Sequence, residues 1–383
     1  MNFCAIICEF NPFHNGHKYI LEQARKLSGC DGVLCIMSGS FTQRGEACVF
    51  DKYTRARHAV LSGADCVIQL PAPFAVAPAE IFASGAIKIL SAIPQVKKLA
   101  FGCEDGDKQL FINSAELLID ESEKFKTTLY GGLDSGESYV KSYAEAFKQC
   151  GGDGDFIGKP NNILGIEYTK AILRAAADIE IMPVKRVGSF FNEKSLQENF
   201  SSAQAIRLNP HSPTVKDNMP AYVYEDFKNC KQDQRYGNFL TDCLFKANTR
   251  NLKRIYGCNE GLENRLKNIV NYGYEKLLNE ATTKRYSASR IRRILCANAL
   301  ELYADDCRKF MDSPLYIRPL AVKKDNADSV LSALSQSRYP LVTAPHTDRL
   351  SGAALECFEK DKLEFLTANY LAGTTVNDYM ITV

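Results

Sequence analysis

Everything in this chain is organised around the segment Phe3 to Leu27, FCAIICEFNPFHNGHKYILEQARKL, which packs an apolar strand, a break and a helix start into twenty-five residues. Phe3 to Cys8 is an unbroken apolar run, the pattern of a parallel strand buried on both faces. Asn11-Pro12 interrupts it, and Ile20, Leu21, Ala24 and Leu27 then recur at helical spacing, so the spacing predicts a helix from near Asn15. His14 and His17 are three residues apart and fall on one side of the first turn, beside backbone N–H groups that have no intrahelical partner. Such a start attracts anions through its free donors and its dipole, and Gly16 leaves the backbone open to approach. A triphosphate fits this outline. Zinc would need a third and usually a fourth ligand, and no Cys-x-x-Cys or further histidine stands nearby, so no metal site is expected. The plainer alternative is a pair of histidines that only cap the helix.

The apolar runs continue in alternation with helical stretches. Val33–Met37, Ala64–Leu70, Lys97–Phe101 and Ile179–Val187 have the character of strands; Asp51–Leu61, Ala77–Ala92 and a stretch from Asn161 or Asn162 to about Ala176 have that of helices. Strand and helix alternating at this spacing predict right-handed crossovers and a parallel sheet, with ligands at the carboxyl ends of its strands. The start of the first helix, the polar loop Ser40 to Phe50 and Pro71 all map to that edge. Gly102, ending the fourth strand, would let a base or ribose lie against the backbone, or is simply a turn glycine. Lys185 and Arg186 reach the same edge; Arg186 is the better phosphate clamp because a guanidinium binds bidentately.

Asn209 to Pro220, with three prolines and few apolar residues, has the character of a linker, and beyond it the pattern turns helical. The expected division is therefore residues 1–210, an α/β domain, and 211–383, a mainly α-helical domain. Net charge is only +2, which excludes a generally basic polyanion binder and requires any RNA contact to come from a local patch. From Lys246 to Arg293 there are twelve Lys or Arg against four Asp or Glu, with Tyr256, Tyr272, Tyr274 and Tyr286 among them. Cations attract phosphates and rings stack on unpaired bases, so this region is the expected RNA surface, densest at Lys284, Arg285, Arg290, Arg292 and Arg293. No apolar run reaches the roughly 18 residues of a membrane span and Met1-Asn2-Phe3 has no basic leader, so the expectation is a cytoplasmic protein without membrane contact. Of its fourteen cysteines, Cys4, Cys8, Cys35 and Cys66 are among those in apolar runs, and all are expected to be reduced.

Three blocks carry a family resemblance: Glu9 to His17 (EFNPFHNGH), Ser38 to Glu46 (SGSFTQRGE) and Asp51 to Ala56 (DKYTRA). His-Asn-Gly-His has the form of the HIGH signature of class I aminoacyl-tRNA synthetases and their nucleotidyltransferase relatives, and the three blocks together resemble the tRNA(Met) cytidine acetate ligases. Ser40 and Ala47 stand where that family is expected to carry Asn and Pro. The resemblance implies a Rossmann-like nucleotidyltransferase fold of the HIGH superfamily, with activation of acetate by ATP as acetyl-adenylate. It also implies acetyl transfer to N4 of the wobble cytidine of elongator tRNA(Met). By the same resemblance, ATP is held by Ile7, Cys8, Glu9, Phe10, Asn11, Pro12, Phe13, His14, Asn15, Gly16, His17, Lys18, Tyr19 and Ile20, with Gly102, Asn161 and Arg186. Ser202 and Arg207, in a block resembling the one that opens a late nucleotidyltransferase helix, are second-tier phosphate ligands.

The expected mechanism gives His14, His17 and Arg186 the task of surrounding the phosphates, with magnesium shared between them and ATP. No general base for the attack of cytidine stands out; Glu9 and Glu46 lie on the right edge. Two other readings stay open at this point: a nucleotidyltransferase that adenylates a small phosphorylated acceptor, and a nucleotide-gated RNA-binding protein without turnover. No protein partner is implied.

Overall fold

The computed structural model describes residues 1–187, 195–230 and 235–383. The strands β1 (Phe3–Cys8), β2 (Gly32–Ser38), β3 (Cys66–Leu70), β4 (Val96–Cys103) and β5 (Glu180–Lys185) run parallel in the order β5-β4-β1-β2-β3. β1 is central. Alternate residues of these strands face opposite layers: Ala5, Leu34, Ile36 and Ile68 pack into one hydrophobic core and Cys4, Ile6, Cys35 and Val67 into another. The helices α1 (Asn15–Leu27) and α2 (Lys52–Leu61) cover the second face; α3 (Ala79–Ser91) and α4 (Pro160–Arg174) cover the first. All the cysteines are free thiols.

The sheet extends beyond residue 210. A strand that the sequence pattern did not reveal, β6 (Pro319–Val322), pairs antiparallel with β3, and β7 (Ile381–Thr382) pairs with β6. Four residues of Pro-Leu-Ala-Val are too short to show a period, and only the exposed edge of β3 makes them a strand. The proline-rich stretch 209–220 is also no open tether, since Val215 and Met219 are buried against the core that includes Ile6. Between these, residues 235–300 form helices around a third core, which also takes in Phe41, Val76 and Leu371, ending in α6 (Ala288–Ala299), with the short helix α5 (Ala203–Leu208) lying before it in the chain.

A long helix, α7 (Gly352–Ala372), returns to the sheet and caps it with two buried carboxylates. Glu364 accepts from the amides of Ser40 (2.5 Å) and Phe41 (3.2 Å) just past β2, and Asp361 from the amide of Ala72 (2.7 Å) just past β3. These amides have no strand to pair with, and the carboxylates satisfy them. Burial pushes the Glu364 carboxyl up to about 7 and that of Asp361 to about 6. No helix among the described residues is long and apolar enough to cross a membrane.

Candidate functional site

At the carboxyl edge of the parallel strands lies a cleft of about 260 Å3. Its floor is the turn after β1. Phe10 adopts φ 51°, a left-handed conformation costly for a bulky residue, and its ring is buried edge-on against Phe13 and His17, at centroid distances of 4.9 Å from each. The turn delivers His14 to the N-cap of α1. There His14 Nδ1 accepts from the Gly16 amide (3.1 Å), while His17 Nδ1 accepts from the His14 amide (3.3 Å). The two rings stack at 3.7 Å.

Both histidines therefore cap the helix, but capping uses only Nδ1. With that lone pair occupied, the proton of each neutral ring belongs on Nε2, where it can be donated into the cleft. Burial with Arg186 and Arg207 nearby pushes His14 down to about 3, and burial with the neighbouring His14 and Arg186 pushes His17 down as well. At neutral pH the helix start thus offers uncharged donors, and arginines supply the positive charge. Gly16 is required by the cap itself, because a Cβ there would stand 2.9 Å from His14 Cε1.

Of the residues expected at ATP, Pro12, Phe13, Asn15 and Lys18 do not face the cleft: Pro12 and Phe13 are buried, Asn15 donates to the carbonyls of Asn199 and Asp217, and Lys18 points to solvent beside Glu22. The remaining ones, with Ser202 and Arg207, line it. Gly102 lies within β4 rather than in a turn, and a Cβ there would meet only Arg186 and Ile20 side chains at 3.4 Å and beyond, so neither backbone nor packing demands glycine.

Asn161 does not cap α4: the cap is Lys159 with Pro160 following, and Asn161 instead bridges Glu104 (2.7 Å) to Arg186 (3.4 Å), steadying the guanidinium. Ser202 caps α5. Arg207 is a brace, donating to the Asn11 carbonyl (2.6 Å) and to Glu46 Oε2 (2.7 Å), and so joins the turn after β1 to the loop after β2.

That loop also lines the cleft, through Thr42, Gln43, Arg44 and Glu46; its polarity beside the sheet edge and its place in the SGSFTQRGE block were the signals in the sequence. It is tied down by the fully buried Arg55 of α2, which donates to the carbonyls of Glu9 (2.7 Å), Ser38 (3.2 Å), Phe50 (3.1 Å) and Gly39. The DKYTRA block is thus the underside of the site. Phe82, Phe101, Leu164 and Tyr168 form an apolar wall that nothing in the sequence distinguished from core.

The five basic candidates do not share one face. Lys284 and Arg285 are exposed, Arg285 beside Glu260 (2.8 Å), whereas Arg290 braces a neighbouring turn through Gly257 (2.8 Å) and Asn259 (2.7 Å). Arg292 and Arg293 lie against the cleft loop, 3.6 Å from Glu46 and 3.4 Å from the Gln43 carbonyl. Ile291, Ile294 and Leu295 bury the opposite side of α6 and set this orientation. Gly45, at φ 69°, admits the close approach, since a Cβ there would lie 2.5 Å from the Arg292 carbonyl. Among the described residues no group of three or more His, Cys, Asp or Glu is arranged to hold a metal ion.

A helix start with two imidazole donors, set at the edge of a parallel sheet and walled by arginine, defines a site for nucleotidyl transfer, and residues 1–375 match the family model described as HIGH Nucleotidyl Transferase. The chain is 34% identical over 364 residues to the tRNA(Met) cytidine acetate ligase of Acetivibrio thermocellus, covering 89% of this chain and 88% of the relative. It is 33% identical over 359 residues to that of a Geobacillus species, covering 90% and 89%. It superposes on the apo crystal structure of Thermotoga maritima TmcAL with a TM-score of 0.89 at 28% identity, and on the same protein bound with alpha-thio ATP with a TM-score of 0.87, over 100% of both chains in each case. The chain belongs to the tRNA(Met) cytidine acetate ligases of the HIGH nucleotidyltransferase family.

Proposed function

We propose that this protein is a ligase that activates acetate with ATP and transfers the acetyl group to N4 of the wobble cytidine of elongator tRNA(Met). The observation that carries this reading is the pair of Nε2–H donors of His14 and His17 beside Arg186, in a chain whose family includes a member crystallised with alpha-thio ATP. In the first step an acetate oxygen attacks the α-phosphorus, the bond to the β-phosphoryl oxygen breaks, and pyrophosphate leaves. The protein's contribution is orientation and stabilisation of charge developing on phosphate oxygens, which preorganised N–H donors supply without rearranging. Magnesium would be held mainly by those phosphate oxygens and would offset their charge, because the cleft carboxylate Glu46 is paired with Arg207 and Arg292. In the second step N4 attacks the acyl carbon and AMP departs.

Purified protein with ATP, magnesium and acetate should catalyse acetate-dependent ATP–pyrophosphate exchange without RNA, and should pass label from acetate to intact tRNA but barely to free cytidine, which lacks the docking phosphates. Exchange that depends on a phosphorylated acceptor instead of acetate, or no exchange, overturns the reading.

The RNA surface is assigned to residues 246–293, in the part of the chain expected to form the tRNA-binding unit. Because Lys284 and Arg285 are exposed, replacing both with Ala should weaken tRNA binding and reduce the slope of log K against log salt by roughly one to two, with exchange retained. Replacing Arg292 and Arg293 should instead damage exchange too, since both press on the cleft loop. Filter binding at several salt concentrations checks the first statement; equal loss of exchange in the Lys284/Arg285 double variant would contradict it.

A further inference from the structure

We propose that Glu9 is the general base of the transfer step, accepting the proton that the cytidine amine loses as it attacks the acetyl-adenylate. This deepens the ligase reading and rests on it. The exocyclic amine of cytosine is conjugated with its ring and is a weak nucleophile. As its nitrogen bonds to the acyl carbon it becomes cationic, and unless a proton is removed the amine is a better leaving group than AMP. The balanced step forms the N4–C bond, breaks the C–O bond to the phosphate, releases AMP with that electron pair, and leaves the proton on the base, from which it passes to solvent.

The cleft contains few groups with a lone pair to offer. His14 and His17 spend theirs on backbone amides and present Nε2–H. Glu46 is flanked by Arg207 at 2.7 Å and Arg292 at 3.6 Å, one at each oxygen, so both of its oxygens are already engaged by guanidinium groups. Burial pushes the Tyr168 phenol up, away from use as a base. Glu9 remains. Its backbone carbonyl is anchored by Arg55 (2.7 Å) and its Oε1 accepts from the Gln43 amide (2.6 Å) and the Ser38 hydroxyl (3.4 Å). Among the described residues no hydrogen bond reaches Oε2, and the side chain lines the cleft just past β1, beside the apolar wall.

The groups facing it are Arg44, Glu46 and Cys48 from the loop, Arg55 from α2, Tyr168 from α4 and the adjacent Cys8. Burial is the largest influence and raises its pKa; Arg44, Arg55 and the Gln43 amide oppose it. The net direction is upward, which brings a carboxylate closer to the range in which a base works at neutral pH.

The test compares two rates in Glu9→Gln: acetate-dependent pyrophosphate exchange without RNA, and transfer of labelled acetyl to tRNA. Gln keeps the Oε1 acceptor for the Gln43 amide and removes only the basic oxygen. The ratio of transfer to exchange should fall on the order of a hundredfold or more. Wild-type transfer should rise with pH through the Glu9 pKa, because the base acts ionised, and that acid limb should vanish in Glu9→Gln. Glu9→Asp, which retains a carboxylate one methylene shorter, should be slower yet keep the limb. Equal losses of transfer and exchange, or an acid limb that persists in Glu9→Gln, overturn the assignment. Wild-type exchange and transfer report on the ligase reading itself, and the variant ratio on Glu9.

Discussion

His17→Ala should lower acetate-dependent pyrophosphate exchange by a hundredfold or more, because it removes a preorganised donor aimed at charge that develops only as the α-phosphorus is attacked. Loss of one such donor costs on the order of 3 kcal/mol in the transition state. The fold should survive. His17 sits in the first turn of α1, one turn before Leu21 on the same side, and its removal costs ring contacts with Phe10 and His14 and a long 3.3 Å cap on the His14 amide, while Leu21 and Ala24 still pack the helix on the sheet. Single-turnover adenylate formation, with circular dichroism as the control for folding, gives the answer, and exchange at the parental rate in a folded variant would remove His17 from the site. The same substitution at His14 carries a larger structural cost, because His14 is the N-cap residue itself and a lost cap is worth about 1 kcal/mol.

Arg55→Met should be the most damaging single change away from the cleft. The methionine keeps much of the aliphatic bulk of a side chain that is 0% exposed, but four carbonyls, those of Glu9, Ser38, Gly39 and Phe50, lose their donor where water cannot replace it. A buried acceptor left unpaired costs about 1–3 kcal/mol, and breaking a buried charged network about 3–5 kcal/mol in total. Urea unfolding should show a stability loss of that size, and exchange should be lost with it because the turn after β1 and the loop after β2, which line the cleft, are held by the same anchor. A loss below about 1 kcal/mol would mean that the loop finds other donors when Arg55 is gone.

The sequence by itself determined whatever depends on neighbours along the chain. β1, β2 and β3 appear as apolar runs because both their faces are buried, β4 and the edge strand β5 are apolar only in part, and the start of α1 is marked by Asn11-Pro12 and the helical spacing that follows. The His14 and His17 pair is legible for the same reason, since three residues of separation fix two side chains on one turn whatever surrounds them. Tertiary structure alone decided how residues far apart in the chain were spent. Arg207 and Ser202, expected as phosphate ligands, do line the cleft, but only the folded chain shows that Arg207 also braces Asn11 and Glu46 and that Ser202 caps its own helix. Arg292 and Arg293 looked like part of a solvent-facing basic patch, but the burial of Ile291, Ile294 and Leu295 turns them onto the cleft loop. β6 exists because β3 has an edge to offer, and Glu364 reaches the Ser40 amide across 324 residues of sequence. Periodicity records which side of an element is apolar; it carries no information on which distant donor or acceptor a polar side chain will meet, and that pairing is settled only when the layers close.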